Sequence, residues 1–170
     1  RLTLINSTVT GNTADEIFGG TGGGITNRGT LNVFNSTISG NLASTRNGTG
    51  GGIAVQQGAV LIVNSTISGN MASNGASYKG YGGGISVDGG TVTLLNSTIA
   101  ANTGNTMETG SGGGIDNDGG MVVLHNTIVA GNESVPGTAK EIFGSNLDGN
   151  SSYNLIGDTG SAGGLINGNN

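Results

Sequence analysis

Apolar and polar residues alternate in short stretches along this chain, and the same stretch returns at a nearly constant interval. In "VTLLN", Val92 and Leu94 fall on one side of an extended strand and Thr93 on the other. Pairs in the same phase occur at Leu2/Leu4, Leu31/Val33, Val60/Ile62 and Val122/Leu124. Because Gly, Ser, Thr and Asn dominate and no 3.6-residue apolar stripe exists, the repeating unit is not helical. The pattern predicts short strands.

Two further signals recur with the strand pattern. The triplet Asn-Ser-Thr follows each alternating stretch, with a degenerate last copy, at Asn6, Asn35, Asn64, Asn96 and Asn126. Three consecutive glycines followed by isoleucine precede it, at residues 22–24, 50–52, 82–84 and 112–114. The steps between the Asn residues are 29, 29, 32 and 30 residues. A period of this length is typical of a solenoid, in which each unit buries its apolar face against its neighbours.

Three strands fit into each repeat. The first is the alternating stretch, the second follows Asn with Val9, Ile38, Ile67, Ile99 or Val129 pointing inward, and the third passes through the glycines and their isoleucine. We therefore predict an all-β fold, a parallel β-helix of about five coils with a period of about 30 residues. The chain forms one domain, 1–170, with coils at about 2–30, 31–59, 60–91, 92–121 and 122–170.

The Asn before Ser-Thr is predicted to occupy a sharp bend between two strands. Asn tolerates the positive φ of such a bend better than any residue except Gly. We expect the stacked copies Asn6, Asn35, Asn64, Asn96 and Asn126 to bond from coil to coil as a structural ladder that satisfies amides otherwise buried unpaired. The segments between "GN" and the triple glycine vary in length, so we predict exposed loops there.

Composition narrows the classes of function. Ten acidic and five basic residues give a net charge of −5 without any block of like charge, which argues against nucleic acid as a partner. The absence of cysteine excludes a disulfide scaffold and a thiolate metal site, and is compatible with export. The longest apolar runs, such as residues 59–63, are too short to cross a bilayer, so we expect no membrane insertion by this segment. The chain opens in mid-pattern, which is typical of a piece of a larger protein.

The repeats resemble those of a known group of proteins. The strings "LNVFNSTISGN" and "GGGIAVQQG", together with the ending "IVAGNESVPGTAKEIFGSNLDGNSSYNLIGD", are similar to bacterial exported right-handed β-helix proteins of the pectate-lyase-like superfamily. Within it, they resemble surface proteins with CSLREA-type or polymorphic-outer-membrane-protein-type repeats. The resemblance implies that the parallel β-helix is right-handed and that the protein has an extracellular or cell-surface location, in a group mostly without assigned activity. The CSLREA box and an envelope anchor are not visible in this sequence.

A carboxylate cluster is the first candidate site. Residues one and three positions after each glycine-led isoleucine should point outward, which would stack Asp88 on Asp118 with Asp116 about 7 Å along the strand. Such a trio would bind Ca²⁺ or supply an acid/base pair, and otherwise it is a solvated turn. The resemblance places superfamily chemistry on this strand face. However, Arg28, the nearest base in phase, is two coils away. Tyr78 and Tyr81 in the longest loop add too little to complete a sugar-binding site.

A second candidate is an outward apolar stripe over five coils. By alternation from the core positions, it comprises Ile5, Phe34, Leu61, Val63, Leu95 and Val123. Such a stripe would be an interface, unless a neighbouring turn or loop folds over it. His125 ends one of its columns; a lone His without a carboxylate or hydroxyl partner in phase indicates a surface residue rather than a catalytic one.

A third array consists of hydroxyl side chains on the second strand. Its pairs are Thr8/Thr10, Thr37/Ser39, Thr66/Ser68 and Thr98/Ala100, and it decays to Ile128/Ala130 in the last copy. This spacing looks like the Thr-x-Thr surface of ice-binding β-solenoids, although threonine is also simply a good exposed strand residue.

The sequence favours a non-enzymatic extracellular or cell-surface module with a structural or adhesive role. Its open ends would be capped by missing segments, by other surface proteins or by further copies of the chain, and stacking of copies end to end would form filaments. The alternatives are a polysaccharide-binding or polysaccharide-cleaving β-helix protein that uses Asp88, Asp116 and Asp118, and an ice-binding solenoid. No cofactor is predicted apart from calcium at the three aspartates.

Overall fold

The computed structural model describes residues 1–16, 19–75, 80–104, 111–135 and 137–164. The chain winds as a parallel β-solenoid of about five turns with a period of about 29 residues, as predicted. Each turn contributes one strand to each of three sheets, and the described residues contain no α-helix and one short 3-10 helix at Thr159–Ser161.

Three parallel sheets run along the solenoid. Sheet 1 contains the alternating stretches, Leu2–Ile5, Thr30–Phe34, Ala59–Val63, Thr91–Leu95 and Met121–His125. Sheet 2 follows the Asn bend and contains Thr8–Thr10, Thr37–Ser39, Thr66–Ser68, Thr98–Ala100, Ile128–Ala130 and Leu155–Ile156. Sheet 3 starts at the isoleucines after the glycines and contains Ile25–Asn27, Ile53–Val55, Ile85–Val87, Ile115–Asn117 and Ile142–Gly144.

The strand register stacks equivalent residues of successive coils on one another. In sheet 1, for example, Leu31 pairs with Val60, which pairs with Val92, and that column continues to Val122. The inward aliphatic side chains of the three sheets form one continuous core, and those of the middle coils are fully buried. The predicted inward phase of all three strands is therefore confirmed.

The variable segments are not simply exposed loops. Leu42–Ser44 pairs with Met71–Ser73 and Gly48–Thr49 pairs with Gly80–Tyr81, which adds two short parallel ladders. Ala43 lies in the first of them and is fully buried. In the last coil, Glu133–Val135 and Thr138–Ala139 form an antiparallel pair instead. The prediction of exposed loops was wrong for these parts, because the chain on both sides of each variable insertion keeps the stacking register.

The bends at Asn6, Asn35, Asn64, Asn96 and Asn126 have φ values between 47° and 50°, as predicted. Bonds between coils also occur there, since Asn64 donates to Asn35 at 3.3 Å and Asn126 donates to Asn96 at 2.9 Å. All five side chains are exposed, however. The expectation that this ladder satisfies buried amides was wrong, because the bend turns these side chains outward while the following serine turns inward.

The buried amide ladder is formed by a different set of asparagines, those of the recurring "GN" dipeptide. We call it the amide column, and its members are Asn12, Asn41, Asn70, Asn102 and Asn132. Each of the first four donates Nδ2–H to the Oδ1 of the next member at 2.9–3.0 Å, and its backbone N–H donates to the same oxygen. From Asn41 onward, the other Nδ2–H binds a strand carbonyl of the preceding coil.

The amide column ends on a buried carboxylate, Glu141, which is 2% exposed. Glu141 accepts from the Asn132 Nδ2 at 2.7 Å, from the Asn132 backbone N–H at 3.1 Å and from the Gly131 N–H at 2.9 Å. A carboxylate only accepts, so it matches a column whose amides all donate in one direction along the chain. Among the described residues, no buried side-chain nitrogen or oxygen lacks a hydrogen-bond partner.

The triple glycines are required because their backbone lies against neighbouring backbone. A Cβ built on Gly52 would come within 2.6 Å of the Gly84 carbonyl oxygen and 3.0 Å of the Asn70 Nδ2. The third glycines of the other coils have equivalent neighbours. Glycine therefore lets this segment pack directly against the amide column.

We expect Gly52→Ala to lower the free energy of unfolding by about 1–3 kcal/mol, because the added methyl group overpacks a rigid backbone contact. Gly149→Ala is the matched control, since a Cβ there meets no atom within 4 Å. Thermal unfolding followed by circular dichroism measures both. Equal melting temperatures for the two variants would contradict the close approach.

Candidate functional site

The three predicted aspartates lie together in one cleft on the outer side of sheet 3. The cleft has a volume of about 320 Å³ and is lined by Thr49, Tyr81, Ser86, Asp88, Asp116 and Asp118. Ser86 and Asp116 are register partners in adjacent strands. Asp88 and Asp118 follow the same two strands, each with its backbone N–H bonded to the preceding coil. The repeat thus brings the carboxylates together, as predicted.

The walls of the cleft explain why the outward-pointing residues of sheet 3 are less exposed than the sequence predicts. Residues Ala54, Ser86 and Asp116 point away from the core, as expected, but all three are buried. Thr49 and Tyr81 come from the short ladder inside the variable segments, which lies beside this side of sheet 3. Sequence reasoning assigned both to loops and missed their place in the cleft. Tyr78, named with Tyr81 as a sugar-stacking candidate, lies outside the described residues.

Asp116 is the unusual group of the cleft. Its side chain is 5% exposed and its Oδ2 accepts the Gly112 N–H at 2.9 Å. Burial raises the pKa of the Asp116 carboxyl to about 6; the neighbouring charges of Asp118 and Asp88 add to the increase, and the Gly112 hydrogen bond opposes it. A carboxyl group that titrates in this range can donate or accept a proton near neutral pH.

The other two carboxylates are exposed. Asp88 accepts a hydrogen bond from the Ser86 hydroxyl at 3.2 Å. None of the six residues that line the cleft is an Arg or a Lys. The lining of the cleft therefore supplies carboxyl and hydroxyl groups, but no Arg or Lys side chain that could act as a base.

Calcium binding by Asp88, Asp116 and Asp118 stays a prediction. In the described part of the chain, no group of three or more His, Cys, Asp or Glu side chains is placed to hold a metal ion. The physical reason is that Asp116 lies in the buried floor and bonds to a backbone amide, while Asp88 and Asp118 stand at the exposed rim.

Asp116 makes a specific pH dependence testable. Its pKa of about 6 in the fold exceeds the ordinary 3.8, so the folded state binds more protons between these values and stability falls as pH rises through this window. We expect Asp116→Asn to be more stable than wild type by about 3 kcal/mol at pH ~7.5 and nearly equal to it at pH ~3.5. Denaturant unfolding at both pH values measures this, with Glu16→Gln, at an exposed carboxyl group outside the cleft, as the control. A constant difference across pH would contradict the raised pKa.

The outward side of sheet 1 forms a second candidate surface, which we call the sheet 1 face. It holds all the predicted interface residues, Ile5, Phe34, Leu61, Val63, Leu95 and Val123, at outward positions. Each of them is half-buried or exposed, and Ile5 is 58% exposed. No described strand packs across this face.

His125 lies at the end of the sheet 1 face. Its Nδ1 is 2.9 Å from the Ser152 hydroxyl, a partner that the sequence spacing did not reveal because Ser152 comes from the irregular last coil. No carboxylate bonds to His125 in the ranges that the structure describes. The pair therefore lacks the orienting group that a Ser-His nucleophile requires.

The hydroxyl array of sheet 2 has the predicted register. Thr8 stacks on Thr37, Thr37 on Thr66 and Thr66 on Thr98, so the residues form straight columns on the outer side. The column then continues to Ile128 and Leu155, which are 41% and 62% exposed. The hydroxyl lattice thus covers four coils and ends at two exposed apolar residues. Ice binding by this lattice stays a prediction.

Comparison with known proteins assigns neither a family nor a function to the chain. No protein-family model, no curated protein and no solved structure matches the chain. Among the described residues, there is no helix of the length and apolar character that a membrane span requires.

Proposed function

We propose that this chain is a non-enzymatic structural or adhesive module of an extracellular or cell-surface protein, which binds other molecules through the sheet 1 face. The observation that carries the proposal is the composition of that face. None of its outward positions, from Thr3 and Ile5 in the first strand to Val123 and His125 in the last, is occupied by Asp, Glu, Lys or Arg. Six of these positions hold the large apolar side chains named above, and a contiguous apolar patch on a surface is typical of interaction sites.

The interior supports the same role. The amide column and the continuous aliphatic core join every coil to the next, and the column leaves no amide of its buried members without a partner. Because polar networks that are fully satisfied make a structure rigid, the side chains of the sheet 1 face are held at fixed spacing. A rigid, evenly spaced surface suits adhesion or support, in which the geometry of many weak contacts matters more than any single contact.

Adsorption to surfaces of defined chemistry tests the proposed function. We expect the protein to adsorb to an alkyl-coated sensor and Val63→Asp to reduce adsorption about tenfold, because it places a charge in the centre of the face. Thr66→Asp is the matched control, since it introduces the same charge on the outer side of sheet 2, in the same coil. Equal adsorption of both variants would contradict the use of the sheet 1 face.

A second candidate function, polysaccharide binding or cleavage, is favoured by one observation. The cleft combines Asp116, whose pKa is raised to about 6, with the aromatic ring of Tyr81 and two hydroxyl side chains. Carbohydrate sites use aromatic and carboxylate groups together, and acid/base cleavage of a glycosidic bond uses a carboxyl group that keeps its proton near neutral pH.

Incubation with neutral and acidic polysaccharides, followed by assays for binding and for release of new chain ends, tests this candidate. We expect Tyr81→Ala and Asp116→Asn each to lower binding if the cleft is used, while Tyr153→Ala, at an exposed tyrosine elsewhere, leaves it unchanged. Binding that none of the cleft variants alters would contradict this candidate.

A further inference from the structure

We propose that the sheet 1 face binds a second copy of this chain, related to the first by a twofold axis parallel to the strands. The inference rests on the proposed function, because it names the occupant of the same face. It depends on two observations, the distribution of charge around the face and the size of the face.

The bend between sheet 3 and sheet 1 borders the face, and its charge changes sign along the solenoid. The exposed residue of this bend is Arg28 before the second strand of sheet 1, Asp88 before the fourth and Asp118 before the fifth. These residues occupy equivalent places, since each follows the last residue of a sheet 3 strand. Arg28 donates from its Nε to the Gln56 side chain of the next coil, which holds it along the border. Arg1 directly precedes the first strand.

A twofold axis parallel to the strands and centred on Ala59–Val63 places opposite charges together. It sets the second strand of one copy against the fourth strand of the other, so Arg28 lies near the partner's Asp88. It likewise sets the first strand against the fifth, so Arg1 lies near the partner's Asp118. Sheets packed face to face lie ~10 Å apart, which is about one screening length, so exposed charges at the border would attract each other across the interface. Complementary signs at a border steer association and fix register.

The same axis matches apolar residues across the face. Val63 and Leu61 lie at the centre, each near its own copy in the partner, and Phe34 packs against the partner's Leu95. Because strand direction is kept, the two sheets pack in the aligned manner that is typical of sheet sandwiches. No Asp, Glu, Lys or Arg of the outward positions is buried by this arrangement, since none is present there.

The size of the face predicts a weak dimer. Five strands at ~4.8 Å and five residues at ~3.3 Å cover about 400 Å² per copy, against the ~800 Å² per partner of a standard stable interface. We therefore expect a weak, transient dimer. Such a dimer would form among many copies held on one surface, while free copies in dilute solution stay apart.

End-to-end stacking is less compatible with the structure than this lateral contact. A head-to-tail contact would have to continue the amide column beyond Glu141, and that carboxylate offers no N–H to a further coil. The filament expected from the sequence would need such a contact at every step.

Sedimentation equilibrium from about 10 μM to about 1 mM, at low and high salt, tests the proposal. We expect a reversible monomer–dimer equilibrium that high salt weakens. Val63→Asp should raise the dissociation constant at least about tenfold, because the axis places the two charges side by side. Thr66→Asp should leave it unchanged. Both variants should melt within a few degrees of wild type.

A charge exchange at exposed positions tests the arrangement without disturbing the core. Asp88→Arg should weaken the dimer about three- to tenfold, because it faces the partner's Arg28, and the double variant Arg28→Asp/Asp88→Arg should restore it. A wild-type protein that stays monomeric at the highest concentration overturns the proposal, and so does a dimer that Val63→Asp leaves intact or that the exchange does not restore. A monomer that still adsorbs to alkyl surfaces through Val63 overturns only the dimer, whereas a dimer without adsorption overturns only adhesion.

Discussion

Replacing Asn70 with alanine should remove about 4–6 kcal/mol from the free energy of unfolding, a large part of the stability of a domain of this size. Asn70 is 1% exposed and lies in the middle of the amide column. Its loss leaves the backbone N–H and the Nδ2–H of Asn41 without their common acceptor, and the Ile38 carbonyl without its donor. Each such buried group costs about 1–3 kcal/mol. Denaturant unfolding measures the change.

The exposed bend supplies the control for this experiment. Asn64 shares the residue type and the repeat but lies at the surface with a φ of 50°. Asn64→Gly should change the free energy of unfolding by less than about 0.5 kcal/mol, because glycine adopts positive φ without strain. If both variants lose similar stability, the two asparagine ladders do not differ in the way the structure indicates.

Replacing Glu141 with glutamine should destabilise the protein by about 2–4 kcal/mol, although it removes a buried charge. The Glu141 carboxylate receives three N–H groups, from Gly131 and Asn132. A glutamine side chain has one oxygen, so its own NH₂ group would face an N–H donor. If burial of the charge itself were the dominant cost, the same substitution would stabilise the fold instead. The sign of the change in the free energy of unfolding therefore shows which effect is larger, the loss of hydrogen bonds or the removal of a buried charge.

Thermal and denaturant unfolding of Glu141→Gln, with Glu133→Gln as control, makes this comparison. Glu133 accepts one hydrogen bond from the Gly137 N–H at the surface, so its substitution should cost less than about 0.5 kcal/mol. A more stable Glu141→Gln protein would show that the carboxylate is not required to end the amide column.

The strands could be predicted because their inward residues are aliphatic and recur in a fixed phase. Val92 and Leu94 show the alternation directly, and the spacing of equivalent positions gives the register. The left-handed bend at Asn64 could also be predicted, since few residues adopt positive φ. These features are local, and each repeats in several coils.

The direction of side chains at the bends could not be predicted. Both Asn64 and Asn70 recur once per coil, so periodicity alone gives no reason to prefer one as the buried ladder. Which asparagine is buried depends on the direction of the backbone after each bend, and the neighbouring glycines determine that direction. The signal for Asn70 was present in the constant "GN" dipeptide. Glu141 carried no such signal, because it replaces a repeat position after an irregular hairpin.

For the candidate site, register was enough to bring Asp88, Asp116 and Asp118 together but not to find their environment. The burial of Asp116 and the presence of Tyr81 both arise from the variable segments, whose short ladders follow no repeat visible in the sequence. The raised pKa of Asp116 follows from that burial, so it could not be predicted either.

Each buried amide of the column depends on the coil that the ribosome makes after it. Asn41 completes its bonds only when Asn70 arrives, and Asn132 only when Glu141 arrives. At ~5–20 residues per second, a repeat takes about 2–6 s to synthesise. During that time the newest coil has donors without acceptors and is the least stable part of the chain. Synthesis of Glu141 supplies the last acceptor of the amide column, and the strands Ile142–Gly144 and Leu155–Ile156 then complete sheets 3 and 2.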